Sequence, residues 1–293
     1  MNNLTLNNPK VLSAIRKVVP APLRPAARWV AHAPKRARRA LHLTLAKYRI
    51  DAAARNNTSV RILNYDVRIN KGTTPYYLYE DIFVNRVYHF EARRPDPLIL
   101  DCGSNMGMSV LYFKHVYPRS RIIAFEPDPT IFDYLRENIE RNGLKDVRAE
   151  RVALAATPGT LMLNSDGEVA SHLSQYPTPG NLSITPFEVK AVRLSDYLTE
   201  PVDFMKMNIE GAEWEVLADT EPKLRQIREM SIEYHRLPGV PCTLHAILDL
   251  LHRSGFTYVV SDFGIMMYGK PSPPARVDPG AIFWRQVYAL RNE

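Results

Sequence analysis

Three polar side chains interrupt an apolar run in VDFMKMNIEGAEWEVL, residues 202–217: Lys206, Asn208 and Glu210, spaced by two. Side chains two apart in a strand share a face, so an amine, an amide and a carboxylate point one way before the chain reaches Gly211. A second strand-like run, IREMSIEYH, aligns Ser231, Glu233 and His235 in the same manner. If the two runs are neighbours, Lys206, Asn208, Glu210, Glu233 and His235 front one cleft. There a carboxylate or an imidazole can take a proton, and a lysine can hold an oxyanion or act as base. The competing reading is a buried Lys–Glu pair that fixes strand ends. A third block, LILDCGSNMG, ends an aliphatic run in Asp101, with Gly103, Asn105 and Gly107 following. Gly103 lets backbone approach a ligand closely, and a helix starting near Met106 offers free N–H groups, although a tight turn without a ligand has the same pattern. RIIAFEPDP ends the next strand in Glu126, where a carboxylate about twenty residues after the loop can accept both hydroxyls of a ribose. Asp128 is better placed to cap the helix that follows.

These groups need strands to align them. LILDCGS, RIIAFEP, VRAERVAL, VDFMKMNI and IREMSIEYH read as strands, with helical windows between several of them. PTIFDYLRENIERNG has Asp128 to cap, Pro129 in the first turn and Gly143 past the end; PCTLHAILDLLHRSG likewise stops at Gly255. Strands alternating with helices predict an α/β fold, a mostly parallel sheet with helices on both faces. FTYVVSDFGIMMYG predicts a closing antiparallel hairpin, SVRILNYDVRIN a strand or hairpin, and YLYEDIFVNRVYHF a helix with Leu78, Ile82, Phe83 and Val87 on one side. Residues 157–190, rich in Pro, Ser, Thr and Gly, predict a long excursion of the kind that covers sites.

Charge is unevenly spread. The net charge is +7, but residues 1–60 carry twelve Lys and Arg against Asp51 alone, a balance of +11, and the remainder is slightly acidic. Pro9, Pro20, Pro22, Pro25 and Pro34 break up the leader. Its segment PKRARRALHLTLAKYRI places Ala37, Leu41, Leu45 and Tyr48 near one helical face among basic residues, which suits an anionic membrane surface, an acidic partner or simply solvent. With two cysteines, no secretory signal pattern and no long apolar window, the expectation is a protein of a reducing, cytoplasmic compartment, peripheral at the inner membrane face at most.

The blocks DCGSNMGMS, AFEPDP, LRENIERNGL, VDFMKMNIEGAEWEVL and MSIEYH, in that order and spacing over residues 76–236, resemble the FkbM family of S-adenosylmethionine-dependent O-methyltransferases. The resemblance implies a class I, Rossmann-like sandwich with a mostly parallel seven-stranded sheet. It divides the chain into a basic helical leader (1–55), a strand/helix cap (56–97), a methyltransferase domain (98–275) and a C-terminal segment (276–293). It implies S-adenosylmethionine binding by Asp101, Gly103, Asn105, Gly107, Glu126 and Asp128, with Asp101 and the glycine turn by the methionine portion and Glu126 on the ribose. Catalysis would then fall to Glu210 as carboxylate base, His235 as imidazole base and Lys206. The family's usual tip reads K-x-D-x-E-G, and Asn208 replaces the middle acid. That substitution weighs against a divalent metal held by Glu210, Asn208 and Glu233, which hard-cation chemistry would otherwise allow. Asp166, Ser171 and His172 of the excursion are candidates for the adenine end or the acceptor, and Trp214 for helix packing.

The expected acceptor is a hydroxyl of a sugar, a glycan or lipid-linked glycan, or a polyketide-like small molecule. An RNA methyltransferase is the alternative raised by the basic leader, but the tip NIEG lacks the Asn/Asp-Pro-Pro-aromatic sequence of base-amine methylators, and nucleic acid is not expected as a partner. A nicotinamide enzyme would need a third glycine in the turn. A catalytically impaired, cofactor-binding homologue stays open because of Asn208.

Overall fold

The computed structural model describes residues 35–71, 75–165, 171–173, 185–237, 241–261 and 283–292. The chain divides into two units, Met1–Ala52 and Ala53–Glu293. Helix α1, Lys35–Arg55, begins in the first. On it Leu45 and Tyr48 are exposed, Ile50 is buried, and Lys47 pairs with Asp51 at 3.0 Å. No described helix is long and apolar enough to cross a membrane.

The second unit opens with a hairpin, β1 (Ser59–Ile62) and β2 (Tyr65–Arg68), as the sequence predicts. Helix α2 (Pro75–Tyr79) then widens into a π-helical turn, Glu80–Asn85. The helix expected to continue through residue 90 stops there, with Arg86 in the left-handed region at φ 58°. Aromatic burial decides this: the chain turns so that Phe90 stacks on Phe204 (4.6 Å, 5°) and packs against Tyr117 (4.4 Å).

Next come β3 (Leu98–Cys102), α3 (Met108–Val116), β4 (Arg121–Phe125), α4 (Pro129–Arg141), β5 (Val147–Glu150) and β6 (Ala153–Leu154). They are followed by β7 (Gly159–Ser165), β8 (Ser171–Leu173), β9 (Thr185–Val192), β10 (Val202–Met207), α5 (Glu213–Thr220), β11 (Ile227–Arg236), α6 (Leu244–Arg253), β12 (Phe256–Ser261) and β13 (Phe283–Arg291). The main sheet has seven strands in the order β12-β13-β11-β10-β3-β4-β5, parallel except for β13. This is the expected α/β class I architecture. All residues of β3 and β10 are buried, as strands covered on both faces must be.

Buried charges at the strand starts are satisfied locally. Asp203 accepts from the Leu98 N–H (2.8 Å) and from Arg94 Nε (2.7 Å), which ties β10 to β3. Asp128 caps α4 by accepting from the N–H groups of Thr130 and Ile131, with Pro129 in the first turn, as the sequence predicts. Asn138 on α4 donates to the carbonyls of Met106 (2.8 Å) and Arg68 (3.0 Å), so one side chain pins both the glycine turn and the β2 strand to this helix.

Strand β12 pairs with β13, residues 283–291, which lies between β11 and β12; residues 262–269 of the expected hairpin lie outside the described residues. The alternation of FWRQVYALR makes that segment a strand of the main sheet with a buried face at Val287 and Ala289. The excursion after β6 is a sheet of its own, ordered β6-β9-β7-β8, with Leu163, Val189 and Ala153 at its centre. Asp166 lies outside the described residues.

Candidate active site

The turn after β3 is held from both sides. The N–H groups of Gly103 and Ser104 donate to the Phe125 carbonyl at 3.0 and 2.8 Å, and the Asn208 N–H donates to the Cys102 carbonyl at 3.0 Å. Gly103 has φ +81°, and a Cβ built on it would lie 1.8 Å from the Asn208 carbonyl oxygen. The glycine is thus required by the approach of the β10 tip as well as by its own backbone conformation. Gly103→Ala should destabilise the fold by about 2–5 kcal/mol, combining a left-handed residue with a backbone clash. A urea denaturation midpoint equal to that of the unsubstituted chain would contradict this packing.

Glu126 sits at the end of β4, buried, and joins the two loops: its Oε2 accepts from the Asn105 N–H (2.9 Å) and its Oε1 from the Asp128 N–H (3.0 Å). Burial raises its pKa to about 7 despite those two hydrogen bonds. Asn105 takes the left-handed conformation at φ 50°. Asp128, besides capping α4, accepts from Ser165 Oγ at the end of β7. Glu126, Asn105 and Asp128 therefore come together as expected. Asp101 is fully buried: Ser109 Oγ donates to its Oδ2 (2.5 Å), and Lys206 Nζ lies 3.4 Å from its Oδ1. It faces inward beneath the turn, held by α3 and β10.

The sequence leaves Lys206 three roles: pairing with a glutamate, holding an oxyanion or acting as base. Its Nζ donates to the carbonyls of Cys102 (3.4 Å) and Gly103 and pairs with Asp101. The register explains this, because Lys206 lies directly opposite Asp101 across β10 and β3. The lysine is a brace under the turn.

Glu210, His235 and Glu233 do meet. His235 Nε2 lies 3.7 Å from Glu210 Oε2 and 3.6 Å from Glu233 Oε1, and its Nδ1 is 3.3 Å from Glu213 Oε1. Burial alone would lower the imidazole pKa, but Glu210, Glu213 and Glu233 outweigh it and raise it to about 10. The three carboxylates thus favour the charged imidazolium. Burial raises the pKa of Glu233. Glu210 is forced to φ 53°, and its side chain is 28% exposed against 15% for Glu233.

Glu213 was missed in the sequence. It is fully buried in the first turn of α5 and accepts from the N–H groups of Ile209 (3.3 Å) and Gly211 (3.1 Å) as well as facing His235. An acid at a helix start reads as a favourable dipole partner, and nothing in the sequence marks it as the anchor of the strand tip. Trp214 packs against the core, as expected. Ser171 and His172 belong to β8, opposite Ser165 and Asn164 of β7. Among the described residues, no group of three or more His, Cys, Asp or Glu is placed to hold a metal ion.

Residues 101–258 match the family model described as the Methyltransferase FkbM domain. The 2-O-methyltransferase NoeI of Sinorhizobium fredii is 31% identical over 179 residues, which cover 54% of this chain and 72% of NoeI. The 31-O-demethyl-FK506 methyltransferase FkbM of Streptomyces tacrolimicus is 29% identical over 224 residues, 62% of this chain and 82% of that protein. Among solved structures, Methyltransferase FkbM from Methylobacillus flagellatus KT aligns with a TM-score of 0.44 and 15% identity, over 68% of this chain and 45% of that one.

Proposed function

The chain belongs to the FkbM methyltransferase family, and from that premise we propose that it is an S-adenosylmethionine-dependent O-methyltransferase acting on a hydroxyl of a sugar, glycan, glycolipid or polyketide-like small molecule. The observation that carries the reading is the meeting of the glycine turn with the β10 tip, which sets Glu210, Glu233 and His235 beside the carboxyl ends of adjacent parallel strands. Open α/β sheets bind ligands at that edge. The names of NoeI and of the Streptomyces relative both specify transfer to oxygen.

The residues present suit the cofactor. Glu126 spends one lone pair of each carboxylate oxygen on a backbone N–H, and each oxygen keeps another for one of two adjacent ribose hydroxyls. Gly103, Asn105 and Gly107 supply the turn along which the methionine portion would lie, and Asp128 fixes the α4 start beside it. Asp101 acts through Lys206 and Ser109 by holding the turn in shape. When bound, S-adenosylmethionine supplies a methyl group on a sulfonium. The chain's own tasks are then to align the acceptor oxygen, which can account for roughly 7–11 kcal/mol of a barrier, and to take the hydroxyl proton. Glu210 is the carboxylate placed for that proton, with His235 Nε2 beside it at 3.7 Å. Helix α1, with Leu45 and Tyr48 exposed near Arg39, Lys47 and Arg49, would suit an anionic surface presenting lipid-linked acceptors.

The test is transfer of a labelled methyl group from S-adenosylmethionine to neutral glycosides, lipid-linked glycans and macrolide alcohols, alongside calorimetric titration of S-adenosylhomocysteine. Label in an alkali-stable ether is the expected product. Absence of nucleoside binding would sink the reading.

A further inference from the structure

The methionine portion of S-adenosylmethionine carries an ammonium, which needs hydrogen-bond acceptors. The acceptors that line the turn after β3 are already engaged. Asp101, the acid expected beside the methionine portion, is fully buried, with Ser109 Oγ on its Oδ2 and Lys206 Nζ 3.4 Å from its Oδ1. The Phe125 carbonyl accepts from the N–H groups of Gly103 and Ser104, and the Cys102 carbonyl from the Asn208 N–H and from Lys206. The Asn105 amide oxygen accepts from the Met106 N–H at 2.7 Å. The Gly103 carbonyl accepts from Lys206 Nζ, so a second ammonium there would sit against the first.

Asn208 differs from all of these. Its backbone is locked onto the turn: its N–H donates to the Cys102 carbonyl at 3.0 Å, and its carbonyl oxygen lies 1.8 Å from where a Cβ on Gly103 would be. Its side-chain oxygen is not locked. Oδ1 is enclosed by the protein and has no hydrogen-bond partner among the described residues. Buried side-chain oxygens are ordinarily satisfied, so one left open against a ligand-binding turn calls for a donor. The cation nearest in the chain cannot supply it, because Lys206 is spent on Asp101 and two carbonyls. The residue as a whole is only half-buried, and the last torsion of an asparagine is soft and roughly two-fold. The amide can therefore turn its oxygen to a donor that arrives from the open side.

We propose that Asn208 is a cofactor-binding residue whose amide oxygen takes a hydrogen bond from the ammonium of the methionine portion. The inference rests on the S-adenosylmethionine reading above. The probes are S-adenosylhomocysteine, its analogue lacking the amino group and its analogue lacking the carboxylate, each titrated calorimetrically against the full chain. One hydrogen bond to a charged group sets the scale, so Asn208→Leu should bind S-adenosylhomocysteine roughly 10–100-fold more weakly. The decarboxylated analogue should lose as much, and the desamino analogue should bind the variant and the unsubstituted chain alike. Asn208→Asp replaces a neutral acceptor by a charged one and should widen the preference for S-adenosylhomocysteine over the desamino analogue. An unchanged preference in Asn208→Asp overturns the inference, whether or not Asn208→Leu folds. So does full affinity in Asn208→Leu, a loss shared by the desamino analogue, or a loss that follows the carboxylate. Failure of the unsubstituted chain to bind S-adenosylhomocysteine overturns the cofactor reading and this inference together, whereas binding indifferent to the amino group overturns this inference alone.

Discussion

Glu126→Ala should weaken binding of S-adenosylmethionine by roughly 10²–10⁴-fold, from two lost hydrogen bonds to a charged group at about 1.5–3 kcal/mol each. The carboxylate is buried, ends β4, and has one open lone pair on each oxygen directed away from the Asn105 and Asp128 N–H groups. The substitution also orphans those two donors, so the loops that shape the pocket lose their link. Calorimetric titration measures the first effect and thermal unfolding the second. The pH dependence separates this residue from its neighbours. Burial holds the Glu126 pKa at about 7, so near neutrality it is part protonated in the free protein. Hydroxyl donors favour the carboxylate form, so affinity should rise as pH increases through about 7 and level off above, with proton release on binding. Glu126→Gln should abolish that slope. Unchanged affinity in Glu126→Ala would remove this residue from the pocket.

The sheet was legible because its signals are local. Aliphatic runs such as LILDC, buried throughout, and RIIAF, buried at Ile122, Ala124 and Phe125, lie between helices with ordinary caps and stops. What escaped depends on distant pairing. Spacing put Lys206 on the correct face, but its partner follows from β10 lying beside β3, about a hundred residues earlier in the chain, and not from the carboxylate four residues on. Strand β13 escaped because it follows a proline-rich stretch and inserts between two strands that precede it. The π-helical turn escaped because its end is set by Phe90 and Tyr88 packing on β10 and α3, not by any helix-stop residue. The surroundings of His235 escaped for a related reason: Glu210 lies on the β10–α5 connection and Glu213 at the start of α5, and their distances to His235 are fixed only when β11 docks beside β10.

Glu210→Gln should lower kcat by roughly 10²–10⁴-fold, the usual worth of a positioned general base, and leave cofactor affinity unchanged. The choice of Glu210 follows by elimination within the cluster. Lys206 is committed to Asp101 and two carbonyls. Three carboxylates raise the His235 pKa to about 10, which disfavours it as a base at neutral pH. Glu233 is less exposed than Glu210, and burial raises its pKa. Glu210 stands at the tip in a left-handed conformation, next to the Gly211 turn that Glu213 anchors. His235→Asn should then act through Glu210. Without the imidazole, Glu210, Glu213 and Glu233 face one another with no cation between them, so kcat should fall only partly while its plateau against pH persists. A base role for His235 itself would instead remove the plateau. The amide of Asn208 fits the same balance: an acid there would add a further negative charge to a tip that already sets three carboxylates around one cation. Full turnover in Glu210→Gln, with activity lost in Glu233→Gln, would transfer the base to Glu233 and make Glu210 the group that positions His235.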